Sequence, residues 1–405
     1  MVPDSWVIKD LGDIATISSG GTPSRSQSEY WDGDIPWVTT AEINFGTITK
    51  TAQKITSLGM QCSSAKLFPK NTILMAMYGQ GKTRGQVAKL SIEATTNQAC
   101  AAIILKSGYS HEYLFQYLQS EYENIRGMSN GGSQNNLSAG LIKEIPVPVP
   151  PFAEQTKIAQ ILSTWDKAIA TTERLLANSK QQKQALIQHL LTGQKRLRGF
   201  SQNWRRASVA SCLLGSSLRN TNSRLSVEDV MSVNKTDGMI PMREQTIGKS
   251  IDRYKIVKPG WFAYNPMRIN VGSICRWHKE TDCLVSPDYV VFECNEEVLL
   301  GAYFDHFRRS ESWTSYMESA GNGSVRVRIY LTDLSQLEIP LPSLPEQQKI
   351  AQVLSTADAE IANLQAQLDK LKLEKKALMQ QLLTGKRRVR LDDEEEDLAP
   401  IRRVG

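Results

Sequence analysis

The segment from Glu154 to Arg198 recurs from Glu346 to Arg390 without a gap, at a constant offset of 192 residues. The first copy begins EQTKIAQILSTWDKAI and closes ALIQHLLTG; the second begins EQQKIAQVLSTADAEI and closes ALMQQLLTG. A period this long in 405 residues means two copies of one large unit, not a solenoid of small ones. Any fold for this chain must house the same element twice.

That element reads as a long helix. In the second copy Leu354, Ala357, Ile361, Leu364, Leu368, Leu371, Lys375, Leu378 and Leu382 follow each other at alternating steps of three and four, the seam of a coiled coil. In the first copy the same register runs through Leu162, Trp165, Ile169, Thr172, Leu176, Ser179, Lys183, Leu186 and Leu190. Pro150 and Pro151, and later Pro342 and Pro345, stand before each helix, where a missing amide donor costs nothing. Gly193 and Gly385 follow, where a left-handed cap is expected. Some 38 residues at ~1.5 Å each span roughly 57 Å. One apolar stripe per helix predicts that the two pack on each other. The outer faces, with Lys180, Gln181, Gln182, Lys372, Glu374, Lys375 and Lys376, read as solvated, so Lys375 falls in both sets. The basic runs Lys195, Arg196, Arg198 and Lys386, Arg387, Arg388, Arg390 read as solvated or as answering the helix dipole, with phosphate or partner contact as the alternative.

The segments before the helices have a different texture. Short β-rich runs such as Thr72 to Met77, Ala99 to Leu105, Trp261 to Tyr264 and Tyr289 to Phe292 alternate with Gly, Ser and Asn. Each segment has one expected helix, near His111 to Tyr122 and near Val298 to Glu318. The fold class is therefore α+β, two globular domains separated by two long helices that pack as an antiparallel coiled coil, a pseudo-two-fold internal repeat. The expected boundaries are 1–150 and 196–341 for the domains, 151–195 and 342–390 for the helices, and 391–405 for an acidic tail. With 40% hydrophobic and 22% charged residues, no apolar run near the ~18 residues of a bilayer span and no signal-peptide pattern at the start, a cytoplasmic protein without a membrane partner is expected. Formal charge is +6; six of the 42 acids lie between Asp392 and Asp397, leaving 48 basic residues against 36 elsewhere. That excess permits a polyanion partner.

Catalysis finds little support in these residues. Ala76 to Thr83, AMYGQGKT, resembles a phosphate-binding loop, but its leading position is Ala76 and Arg84 and Gly85 stand where a helix is required. Val149, Pro150, Pro151 and Phe152 resemble the PPF tetrapeptide of amino-methyltransferases, yet Val149 replaces the Asn or Asp that must hold the target amine. Cys275, His278 and Cys283 lack a suitably spaced fourth ligand, so no metal site is expected. The six cysteines form no CxxC pair and read as buried thiols.

Two divergent domains, each followed by a proline-led stretch (EIPVPVPP, EIPLPSLP), then EQxKIAxxL and a long helix ending LLTG, resemble the specificity subunit of a type I DNA restriction-modification complex. Gly131 to Ser138, GGSQNNLS, is similar to the family's pattern near the end of a target-recognition domain; the second domain departs from it with GSVRVRIYL from Gly323. The resemblance implies a chain that is not itself an enzyme. Each domain would read one half of a split double-stranded DNA target, and the helices would set the spacing and dock two modification subunits. S-adenosylmethionine, ATP and Mg are then expected on partner subunits, restriction subunits among them, and no cofactor on this chain.

Candidate DNA-binding residues in the first domain are Gly79, Gln80, Gly81, Lys82, Thr83 and Arg84 with Ser133, Gln134, Asn135 and Asn136. Glycines allow close backbone approach, Lys and Arg neutralise phosphate or pair with guanine, and Gln or Asn can grip adenine. In the second domain the candidates are Arg268, Asn270, Arg276, Ser324, Arg326 and Arg328. A cytoplasmic scaffold whose two α+β domains bind proteins is the rival reading; it explains the repeat but not these loops.

Overall fold

The computed structural model describes residues 2–79, 81–128, 136–320 and 328–391. The chain divides into two units, 1–172 with 367–405 and 173–366. The boundary falls inside both long helices, which run from Phe152–Leu191 and Leu344–Leu382, 40 and 39 residues.

In the first unit, five strands lie in the order Ala15–Ser19, Cys100–Leu105, Ile73–Ala76, Val87–Leu90 and Thr47–Ile48, antiparallel except for the last pair. The central strands are buried on both faces, which is why they read as continuous apolar runs. A three-stranded sheet, Gln53–Ile55, Trp31–Val38 and Thr95–Thr96, accompanies it. In the second unit a four-stranded antiparallel sheet has the order Leu213–Ser216, Val290–Cys294, Phe262–Tyr264 and Ile274–Arg276. The two central hairpins correspond: Met75 pairs with Val87 and Ala101, and Tyr264 with Ile274 and Val290. In both units a β-ribbon joins the start of the domain to the stretch before the long helix, Val7–Asp10 with Pro146–Val149 and Arg205–Ser208 with Glu338–Leu341.

The repeated EQxKIAxxL motif stitches helix to domain in the same way twice. Ile158, Ala159 and Leu162 enter the first core, and Ile350, Ala351 and Leu354 the second. Gln155, 2% exposed, accepts from the Ser110 amide at 2.9 Å and donates to the Pro150 carbonyl at 2.9 Å. Gln347 accepts from the Leu300 amide at 2.9 Å and donates to the Pro342 and Val298 carbonyls. Glu346, 1% exposed, receives Arg196 Nε at 2.7 Å, Arg196 Nη2 at 2.8 Å and the Trp204 indole N–H at 3.0 Å. Glu154 likewise receives Arg388 Nε at 2.8 Å and the Trp6 indole at 3.3 Å. A buried carboxylate is tolerated only when paired and hydrogen-bonded, and both glutamates are. Arg196 and Arg388 are thus ion-pair partners within the chain, a correction for these two residues to the expectation that the basic runs are solvated or answer the helix dipole, with phosphate or partner contact as the alternative.

These pairs join the start of one long helix to the tail of the other, so within each unit the two helical segments run antiparallel. Asp166 meets Lys375 at 2.6 Å in the first unit, and Asp358 meets Lys183 in the second. Lys375 is 5% exposed, which removes it from the solvated face. None of the thirteen seam residues Leu162, Trp165, Ile169, Leu176, Leu186, Leu190, Leu354, Ile361, Leu364, Leu368, Leu371, Leu378 and Leu382 is exposed. Gly193 and Gly385 have φ of 75° and 74°, the left-handed caps expected. A side chain at Gly385 would also strike Pro3 at 2.4 Å, and one at Gly193 would crowd Trp204 at 3.2 Å. Two details differ from expectation. Pro345 lies inside the first turn of its helix, where proline is equally tolerated, and the helix expected over Val298 to Glu318 breaks into Gly301–Phe307 and Glu311–Ala320.

Beside this aspartate–lysine pair the second unit carries a histidine where the first has Gln116, which donates to Asp166 at 2.6 Å. His306, 3% exposed, has Nε2 3.0 Å from Ser355 Oγ and Nδ1 3.9 Å from the Asp358 carboxylate. Burial lowers its pKa to about 4, with Arg309 and Lys183 acting in the same direction and Asp305 and Asp358 against it. The native ring is therefore neutral where the unfolded ring, near 6.5, takes a proton. The unfolded chain binds more protons in that window, so this contribution is complete above pH 6.5 and is lost as pH falls toward 4. Between pH 7 and 5 the wild-type chain should lose about 2 kcal/mol through this group. In denaturant unfolding at the two pH values, His306→Gln should show a correspondingly smaller loss; an unchanged difference would remove His306 as the cause.

Candidate nucleic-acid interface

Strand direction gathers the loops of each domain at one end of its sheet. In the first unit Ser19 pairs with Ala101 and Ala76 with Cys100, so the loops after Ser19 and Ala76 and the turn before Cys100 emerge together. Met77 donates its amide to the Ala99 carbonyl at 2.9 Å, and the Leu137 amide donates to the Met77 carbonyl at 3.0 Å. This second bond sets Leu137, next to the candidate Asn136, against the start of the turn that carries Gly79. Gln80, Ser133, Gln134 and Asn135 lie outside the described residues.

The 77–86 segment is a hairpin turn, with Gly85 N to Ala76 O and Ala76 N to Gln86 O both at 2.9 Å. A strand follows it, which excludes the phosphate-loop geometry that needs a helix. Gly79 and Gly81 have φ of 144° and 71°, and a Cβ on Gly79 would sit 2.8 Å from Thr83 Cβ. Gly79, Gly81 and Lys82 are exposed, whereas Thr83 and Arg84 are half-buried. Arg84 donates to the Arg126 carbonyl at 2.7 Å, and its Nε is buried, so it braces the turn from behind. Arg126 in turn donates to Gly81 O at 2.6 Å, and the Tyr122 hydroxyl to Lys82 O at 2.6 Å. These two residues were not foreseen; a local sequence pattern carries no signal of a carbonyl forty residues away.

The second unit repeats the arrangement. Its hairpin turn, 265–273, is closed by Asn265 N to Ser273 O at 3.2 Å, and the Ile329 amide donates to Pro266 O at 3.0 Å, matching Leu137 to Met77. Arg268, Asn270 and Arg328 are exposed. Arg328 lines a cleft of about 420 Å³ with Ser217, Lys255, Met267, Tyr289 and Tyr330; Asp288 is the acid on its rim. Lys255 donates to Tyr289 O at 2.5 Å, and burial together with Arg219 holds its pKa below the usual lysine range. Asn270 instead lines a separate cleft of about 510 Å³ with Lys235, Arg308 and Arg309. Arg276 sits at the far end of its strand and donates to Gly260 O at 3.1 Å, apart from the turn. Ser324 and Arg326 lie outside the described residues.

Each domain thus offers glycine-containing or cationic turns and aromatic or amide groups on one rim, an inventory suited to phosphates and base edges. Among the described residues no group of three or more His, Cys, Asp or Glu could hold a metal, and no helix is long and apolar enough to cross a membrane.

The family pattern of the type I restriction modification DNA specificity domain matches residues 3–180 and 282–373, more than half of the chain. The chain belongs to this specificity-subunit family. The MjaIX specificity subunit of Methanocaldococcus jannaschii is 33% identical over 190 residues, 46% of this chain and 42% of that one. The EcoR124I/EcoR124II specificity subunit of Escherichia coli is 29% identical over 164 residues, 39% and 40% of the two chains. The chain therefore spans about two-fifths of the length of these two relatives. The putative MjaX specificity subunit of M. jannaschii matches over 96% of this chain and 95% of that one at 22% identity. In fold, the S subunit of the type I restriction-modification system of M. genitalium aligns with a TM-score of 0.61 at 14% identity, over 94% of this chain and 96% of that one. Both matched ranges include an EQxKIA segment, whose glutamate and glutamine anchor the long helix here.

Proposed function

We propose that this cytoplasmic chain is a non-catalytic specificity subunit that reads a bipartite double-stranded DNA target, one half-site per α+β domain. The observation that carries the reading is the duplicated rim. The Leu137 to Met77 and Ile329 to Pro266 bonds tie equivalent turns to equivalent returning segments, while the side chains they present differ. One scaffold with two sets of contact residues suits two different half-sites.

The two long helices, paired as an antiparallel coiled coil with approximate two-fold symmetry, set the half-site spacing and dock the modification subunits. In support, the inter-helix bonds Asp166 to Lys375 and Asp358 to Lys183 occupy equivalent positions. Two modification subunits carry S-adenosylmethionine and methylate adenine in each half, and restriction subunits add ATP and Mg chemistry.

Duplex affinity of the assembled complex at two salt concentrations tests the proposal. Neutralising several phosphates gives binding that weakens steeply with salt, on top of a preference for one bipartite sequence. Negligible or salt-independent binding would favour the protein-binding scaffold.

A further inference from the structure

Arg25 occupies an exposed loop at the same rim as the Gly79 to Arg84 turn. Thr22 bonds the Gln98 side chain at 2.5 Å, and the next residue, Ala99, accepts from Met77, so one turn grips both loops. The loop leaves Ser19 through two glycines packed against backbone: a Cβ would fall 1.9 Å from Thr96 O at Gly20 and 2.5 Å from Ser64 C at Gly21. Two indoles then hold it. Trp37 donates to Gly21 O at 3.0 Å and Trp31 to Ser24 O at 3.1 Å.

Arg25 sits over this pair, nearer the Trp31 face. Its guanidinium carbon is 3.7 Å from the Trp31 ring centre and 5.1 Å from that of Trp37, and the rings meet edge to face at 5.0 Å. Nη2 donates to Gln53 Oε1 at 2.9 Å. Among the described residues no carboxylate pairs with Arg25. A guanidinium stacked on an aromatic face has its plane fixed and its remaining donors aimed outward, so little side-chain entropy is lost when they meet two acceptors. A flexible, solvated lysine suffices for a phosphate; a fixed planar fork matches the O6 and N7 acceptors of guanine.

We infer that Arg25 reads a guanine in the half-site recognised by the first domain. The inference rests on the DNA-reading function proposed above. Among the described residues the second domain has no matching arginine on a tryptophan pair at this position: after Leu213–Ser216 its loop runs Ser217, Leu218, Arg219 and the buried Asn220, which bonds the Leu225 backbone. The second half-site is therefore an internal control.

The test uses the complex of the full chain with its modification partners, bound to duplexes in which every base pair of both half-sites is changed singly, at two salt concentrations. Arg25→Ala and Arg25→Lys should each weaken the preferred duplex roughly 5- to 150-fold and erase discrimination at one G·C pair of the first half-site. Discrimination at the second half-site should remain at the wild-type level, which also shows the variants folded. Uniform weakening with a shallower salt slope, restored by Arg25→Lys, would assign the group to phosphate and overturn the inference. So would unchanged discrimination. A wild-type complex that discriminates at no position overturns the underlying function as well, a result distinct from an inert Arg25 in a discriminating complex.

Discussion

Leu368→Asp is expected to uncouple the long helices and abolish site-specific methylation by the assembled complex. Leu368 is 5% exposed, and Leu176, its partner in the test, 6%. An aspartate at either position puts a carboxylate where a buried leucine packs, a change in the class that costs several kcal/mol. Leu373, 70% exposed on the same helix, is the matched control, where Leu373→Asp should shift stability by no more than about 0.5 kcal/mol. Thermal unfolding and methylation of a cognate duplex report the two effects. Wild-type assembly and methylation in both seam variants would refute the helix pairing.

Arg196→Met should destabilise the second unit by about 3 kcal/mol, the lower end for breaking a buried pair, because Arg196 is itself 27% exposed. The damage comes from Glu346, 1% exposed, whose carboxylate would keep the Trp204 N–H but lose its counter-charge. Arg388→Met should act in the same direction on the first unit through Glu154, with a smaller loss because Arg388 is 45% exposed. By contrast Arg206 and Glu338, 67% and 59% exposed at 3.4 Å, form a surface pair, and Arg206→Met should cost less than about 1 kcal/mol. Equal losses for Arg196→Met and Arg206→Met in denaturant unfolding would show that the Glu346 pair is no more than a surface contact.

The repeat and the three-four spacing were enough to place both helices and their glycine caps, because those signals are local and periodic. The partners of Glu154 and Glu346 were not legible. Arg388 is 234 residues from one and Arg196 is 150 from the other, and nothing in a basic run at a helix end distinguishes an arginine that folds back from one that is solvated. Lys375 was ambiguous for a related reason: a charged residue at a seam position is buried only if an acid such as Asp166 stands across from it. At the rim, glycine-rich composition located the 77–86 turn, but it did not separate Lys82, which faces outward, from Arg84, which braces the turn. Arg25 gave no signal by itself; its stacking depends on Trp31 and Trp37 lying on a strand whose position follows from tertiary pairing.

Single-molecule sequencing of methylated adenines, in cells that carry this chain and in cells that lack it, tests the central claim most directly. The account predicts one bipartite motif, two short half-sites at fixed spacing, present with the chain and lost without it. Arg25→Ala should then relax one position of a single half. A methylation pattern indifferent to the chain, or a motif with one continuous half, would contradict a reader built from two domains.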